Sequence, residues 1–177
     1  MIAVKPAFKI LWHNYPHAHA WLRGRLFRTI GWDNLINEPA YQNTCAIRLS
    51  IALQKSGVPI SSSAGMTGLK GAMKGKPIEI RQEDLSRQLR RLWGPPELLP
   101  KKKTENAIGD RDGIISFFRV PGYPVGRGLG GHIDLVDGKG FAIHTFLYFW
   151  KRRIDLPSVC GSACHWKAGE IWFGELP

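Results

Sequence analysis

No run of roughly 18 apolar residues occurs in this chain, so no segment has the length and hydrophobicity of a membrane-spanning helix. Met1 to Pro16 lacks the unbroken apolar stretch of a secretory signal, and the expectation is a soluble chain made in the cytoplasm. If such a chain acts outside the cell, another machine must carry it. Acidic residues are scarce, 14 Asp+Glu against 25 Lys+Arg, and the formal net charge of +11 predicts attraction to polyanions: nucleic acid, an anionic membrane surface or an acidic cell-wall polymer. A nucleic-acid signature is missing. The basic clusters Arg87-Arg90-Arg91, Lys101-Lys102-Lys103 and Lys151-Arg152-Arg153 carry no interleaved aromatics or zinc-ligand spacing, and read as solvated faces. Gly68-Leu69-Lys70-Gly71 lacks the spacing of a phosphate-binding loop.

Cysteine is equally sparse. Three residues cannot build a disulfide framework, and they leave one over after a single pair. Cys160 and Cys164 can close a small loop in an oxidising compartment, leaving Cys45 as a lone thiol; two reduced thiols are the alternative. A zinc site is disfavoured, because only His165 lies beside this pair and no second cysteine pair supplies the remaining ligands. No metal and no cofactor are expected.

What is present points to a folded globule. Apolar residues make up 44% of 177, with seven tryptophans and eight phenylalanines, enough for a core, and no composition shift divides residues 1–177 into more than one domain. Phe8 to Pro16 reads as a short helix stopped by proline, and about His19 to Ile30 as a second amphipathic stretch. A helix from Cys45 stops at Ser56-Gly57, and another runs from about Glu83 to Trp93 with Leu85, Leu89 and Leu92 on one face before Gly94-Pro95-Pro96. The stretches Ser61 to Lys76 and Lys101 to Asp112 read as loops. Strands are expected at Gly113–Phe118, at His132–Asp137, at Phe141–Trp150 beyond a Gly-Lys-Gly turn, and at Gly169–Phe173. The class is α+β, with N-terminal helices and an antiparallel β-sheet after them.

Two positions carry chemistry. Cys45 begins an apolar helical run directly after the polar Gln42-Asn43-Thr44, where unpaired backbone N–H groups and the helix dipole favour a thiolate. His132 opens the alternating strand Gly131-His132-Ile133-Asp134-Leu135-Val136. A thiol at a helix start followed downstream by a strand histidine is the chain order of papain-like thiol hydrolases, with Cys45 as nucleophile and His132 as general base. The bland alternatives are a buried structural cysteine and a structural histidine. For the third role, orienting His132, His144 is favoured: an odd-numbered turn such as Asp137 to Lys139 places both histidines on one face of neighbouring strands. Asp134 competes, since residues two apart on a strand share a face. Arg48 reads as an exposed helix arginine, with a substrate carboxylate as its alternative partner, and His13, His17 and His19 as surface groups.

The chain resembles the fourth family of type VI secretion amidase effectors, bacterial toxins with a papain-like, NlpC-type cysteine peptidase fold. Phe8-Lys9-Ile10-Leu11-Trp12-His13-Asn14-Tyr15-Pro16 and Gly169-Glu170-Ile171-Trp172-Phe173 bracket the resemblance. Gln42-Asn43-Thr44-Cys45-Ala46-Ile47-Arg48-Leu49-Ser50 and Gly131-His132-Ile133-Asp134-Leu135, followed by Asp137-Gly138, are its specific segments. The resemblance implies hydrolysis of the γ-D-glutamyl–meso-diaminopimelate bond of peptidoglycan stem peptides, secretion by the type VI apparatus, action in the target-cell periplasm, and a cognate immunity protein of acidic character. No nucleic-acid partner and no membrane insertion are expected. The family commonly places an aspartate on the strand after the histidine strand, where this chain has His144, and carries a late Cys-x-x-x-Cys disulfide, to which Cys160 and Cys164 correspond loosely. Two rivals stand beside this reading: a non-enzymatic basic module that binds polyanions, and a papain-like protease acting on protein.

Overall fold

The protein is described from a computed structural model, which covers residues 4–17, 20–101, 104–121, 130–138 and 165–177. Two compact units divide it, Met1–Pro95 together with Pro177, and Pro96–Leu176.

The first unit is helical. It contains α1 (Phe8–Asn14), α2 (Arg23–Ile30), α3 (Cys45–Lys55) and α4 (Gln82–Trp93), with short 3-10 turns between them. α1 ends at its C-cap Tyr15, whose N–H donates to Trp12 O at 3.2 Å and whose backbone turns extended ahead of Pro16. The second amphipathic stretch becomes helical only at Arg23, later than its pattern suggests, and ends at Gly31 with φ +82°. That left-handed backbone suits glycine, and a Cβ there would stand 2.8 Å from Leu69 Cβ. α4 begins with Glu83 and Asp84 and ends with Arg90 and Arg91, charges that complement the helix dipole at both ends.

α3 is the centre of this unit, and every residue from Cys45 to Leu53 is buried. Ile47 and Ile51, one turn apart, join Leu26, Phe27, Ile30, Trp32, Met73 and Ile78 in one core, while α1 packs on α3 as well. Each fully buried side chain of this size contributes about 1.5–3 kcal/mol through burial. Polar groups on a helix buried all round need partners, and they have them. Ser50 Oγ donates to Glu79 O and accepts from Glu79 N, both at 3.1 Å. The segment 61–76, expected as an exposed loop, also contributes to the core: Met73 is buried, and Thr67 O accepts the Trp32 indole N–H at 2.9 Å.

The second unit is built on a four-stranded antiparallel sheet among the described residues. β1 (Glu97–Leu98), β2 (Gly113–Phe118), β3 (His132–Val136) and β4 (Glu170–Glu175) lie in the order β1-β4-β2-β3. β2 is the strand paired on both edges and is buried along its whole length, its run apolar apart from Ser116. Ile115, Phe117, Ile171 and Phe173 meet Leu99, Ile108, Val120 and Ala168 in this unit's core. A helix α5 (Thr104–Ile108) occupies part of the segment expected as loop, because Ile108 has an apolar face to cover. Arg111 ties the sheet edge together, donating to Glu97 at 2.7 Å and to Glu175 at 3.2 Å. The bond to Glu97, ahead of the one to Glu175, holds its guanidinium above its ordinary pKa. The expected strand Phe141–Trp150 lies outside the described residues.

Candidate active site

Cys45 is the first residue of α3 and is 6% exposed, its thiol free of any disulfide. Its backbone N–H points to Asn43 Oδ1 at 3.5 Å, the long limit of a hydrogen bond and therefore a weak one. Thr44 precedes it at φ −102°, ψ 7°, in the sparsely occupied region between helix and strand where active-site residues recur. The Thr44 hydroxyl does not cap the helix; it accepts from Arg48 Nε at 2.9 Å.

Arg48 departs from its sequence reading. It is 6% exposed, not a solvated helix arginine and not open to a substrate carboxylate, and its guanidinium also donates to Pro16 O and, at 2.8 Å, to Trp21 O. His17 departs too: it is half-buried, its ring 4.5 Å from Trp12 and 5.2 Å from Tyr15 between centroids, with Nε2 3.1 Å from Trp12 O. His13 is exposed, and His19 lies outside the described residues.

In the second unit His132 opens β3. Ile133 and Leu135 are buried, while His132, Asp134 and Val136 share the other, half-exposed face. That alternation brings His132 Nε2 to 3.4 Å from Asp134 Oδ2, and Asp134 Oδ1 accepts the Leu135 N–H at 2.9 Å. Phe117, the register partner of His132 across the sheet, stacks near its ring with centroids 6.4 Å apart. His165, on a 3-10 turn just ahead of β4, approaches edge-on at 4.9 Å. The sequence offered no sign of these neighbours, because His165 is 33 residues downstream and carries no local motif. His144, Cys160 and Cys164 lie outside the described residues. Among the described residues no group of three or more His, Cys, Asp or Glu is placed to hold a metal ion, and no helix is long and apolar enough to cross a membrane.

Helices ahead of an antiparallel sheet, with a thiol at a helix start and a histidine on a strand, define an α+β fold of the papain-like, NlpC type. The chain belongs to the family of type VI secretion system amidase effector protein 4 (Tae4), whose sequence pattern matches residues 41–173. It is therefore an amidase effector, an antibacterial hydrolase, which sets aside the non-enzymatic binding module. Among solved structures, the fold is similar to the type VI effector Tae4 from Enterobacter cloacae, at TM-score 0.69 and 19% identity over 100% of both chains. It is also similar to the effector Tae4 from Salmonella typhimurium, solved in complex with the immunity protein Tai4 from Enterobacter cloacae, at TM-score 0.66 and 20% identity over 98% of this chain and 100% of that one. The Tae4–Tai4 effector–immunity complex from Enterobacter cloacae matches at TM-score 0.69 and 20% identity over the same shares. No curated protein sequence matches the chain.

Proposed function

We propose that the protein is a cysteine amidase that hydrolyses the γ-D-glutamyl–meso-diaminopimelate bond of peptidoglycan stem peptides, with residues 1–177 working as one catalytic domain. Cys45 is the nucleophile and His132 the general base. The observation that carries the reading is the His132–Asp134 pair, Nε2 to Oδ2 at 3.4 Å, in a chain of an amidase family whose one described cysteine begins a buried helix. A carboxylate beside Nε2 favours the tautomer with its proton on that nitrogen, so that Nδ1 accepts the thiol proton.

The steps follow from these roles. His132 takes the Cys45 proton, the sulfur attacks the amide carbonyl, and the oxyanion is met by the Cys45 N–H, which gives up only its long bond to Asn43. The C–N bond breaks as His132 hands its proton to the amine of diaminopimelate. Water, deprotonated by His132, then cleaves the thioester, and the proton returns to sulfur. The orienting role belongs to His144 or, as its alternative, to Asp134, whose Oδ2 lies 3.4 Å from His132 Nε2.

A type VI apparatus delivers the effector, and it acts in the periplasm of the target cell, where its substrate lies. The net charge of +11 concentrates it on an anionic wall and favours an acidic cognate immunity protein, a partner of the kind named in the Tae4–Tai4 complexes. The test is mass spectrometry of muropeptides after incubating diaminopimelate-type peptidoglycan with wild type and Cys45→Ala. Fragments cut after D-glutamate by wild type alone support the proposal. Cleavage of casein with no muropeptide product would move the protein to the papain-like proteases with protein substrates.

A further inference from the structure

Arg48 is an expensive residue to bury. Its planar guanidinium offers five N–H donors in a fixed fork, and a fully desolvated cation requires acceptors placed to match. Among the described residues its acceptors include the Thr44 hydroxyl at 2.9 Å, Pro16 O, and Trp21 O at 2.8 Å, from two separate parts of the first unit. The fork thus ties Pro16 and Trp21 to the residue directly ahead of Cys45.

The bond to Thr44 has a second effect. A threonine at a helix N-cap ordinarily turns its oxygen onto a first-turn N–H in extended backbone. Thr44 instead sits at ψ 7° and makes no cap bond, its oxygen facing Arg48 one turn along. Helix periodicity makes this possible, because positions 44 and 48 lie one above the other on the same face. The Cys45 N–H is left with its long bond to Asn43 Oδ1, at 3.5 Å.

We propose that Arg48 is a positioning residue for the nucleophile, fixing the Thr44 turn that aims Cys45 and keeping the Thr44 hydroxyl off the first-turn amides. This rests on Cys45 being the nucleophile, as proposed above. Lysine cannot reproduce it, having a point charge where three directed donors are needed.

The test uses Thr44→Val, which keeps the shape of the side chain and removes the acceptor, alongside Thr44→Ser and Arg48→Lys, with thermal melting to establish folding. Two quantities are read: kcat and KM on soluble muropeptides, and the rate of iodoacetamide alkylation at Cys45, followed by peptide mass, which needs no substrate. Thr44→Val is expected to lower kcat and slow alkylation by about tenfold or more with KM within about twofold, since small misplacements of a reacting group cost rates of that order. Thr44→Ser should restore most of the loss, and Arg48→Lys should not. A folded Thr44→Val with wild-type kcat and alkylation, or with a lowered melting temperature as its only change, overturns the proposal. Activity retained by Cys45→Ala sinks the nucleophile assignment itself, a separate outcome.

Discussion

Asp134 Oδ2 lies 3.4 Å from His132 Nε2, the two side chains leaving β3 on the same face. The strand's alternation produces this, because Ile133 between them is fully buried and sends its neighbours the other way. The pair therefore needs no turn, register or second strand to form.

Asp134→Asn keeps the shape and removes the charge. If Asp134 orients His132, kcat on muropeptides falls on the order of 10²–10⁴-fold with little change in KM, as when the carboxylate of a catalytic triad is neutralised. His144→Ala is the companion variant. A large loss there with an active Asp134→Asn would transfer the orienting role to His144.

The positive charge should matter for the polymer and not for the chemistry. Raising salt from about 0.05 to 0.5 M shortens the screening length severalfold. Turnover of intact sacculi is then expected to fall while that of soluble muropeptides stays nearly constant. Equal salt sensitivity on both substrates would place the charge effect in the catalytic step.

Glu79 is fully buried, and its carboxylate accepts the backbone N–H groups of Ser63 at 2.6 Å and of Ile80 and Arg81 at 2.9 Å. Glu79→Ala leaves these donors without that acceptor, and a loss of about 2–4 kcal/mol is expected. Urea unfolding reads it as a lower midpoint at unchanged slope. A change below about 0.5 kcal/mol would mean that water replaces the carboxylate at little cost.

Much of this architecture is legible locally. α3 and α4 announce themselves through apolar spacing and stop signals, and β2 and β4 through short β-prone runs, all within a few residues of their observed limits. The helix between Lys101 and Asp112 is not legible in that way, since α5 is a single short turn whose stability comes from Ile108 packing in the core. β1 is equally hidden, because two residues carry no period and pair only where β4 offers them an edge.

The candidate site divides along the same line. By itself the sequence determined that Cys45 begins a helix, that His132 begins a strand, and that Asp134 shares the histidine's face, because each depends on a period of a few residues. Only the tertiary structure decided that Arg48 is buried with its donors on Pro16 and Trp21, and that Phe117 and His165 flank the His132 ring. These contacts join residues 15 to 33 positions apart. A local pattern reports which face a side chain takes, whereas its partners are set by packing between elements that no local period relates.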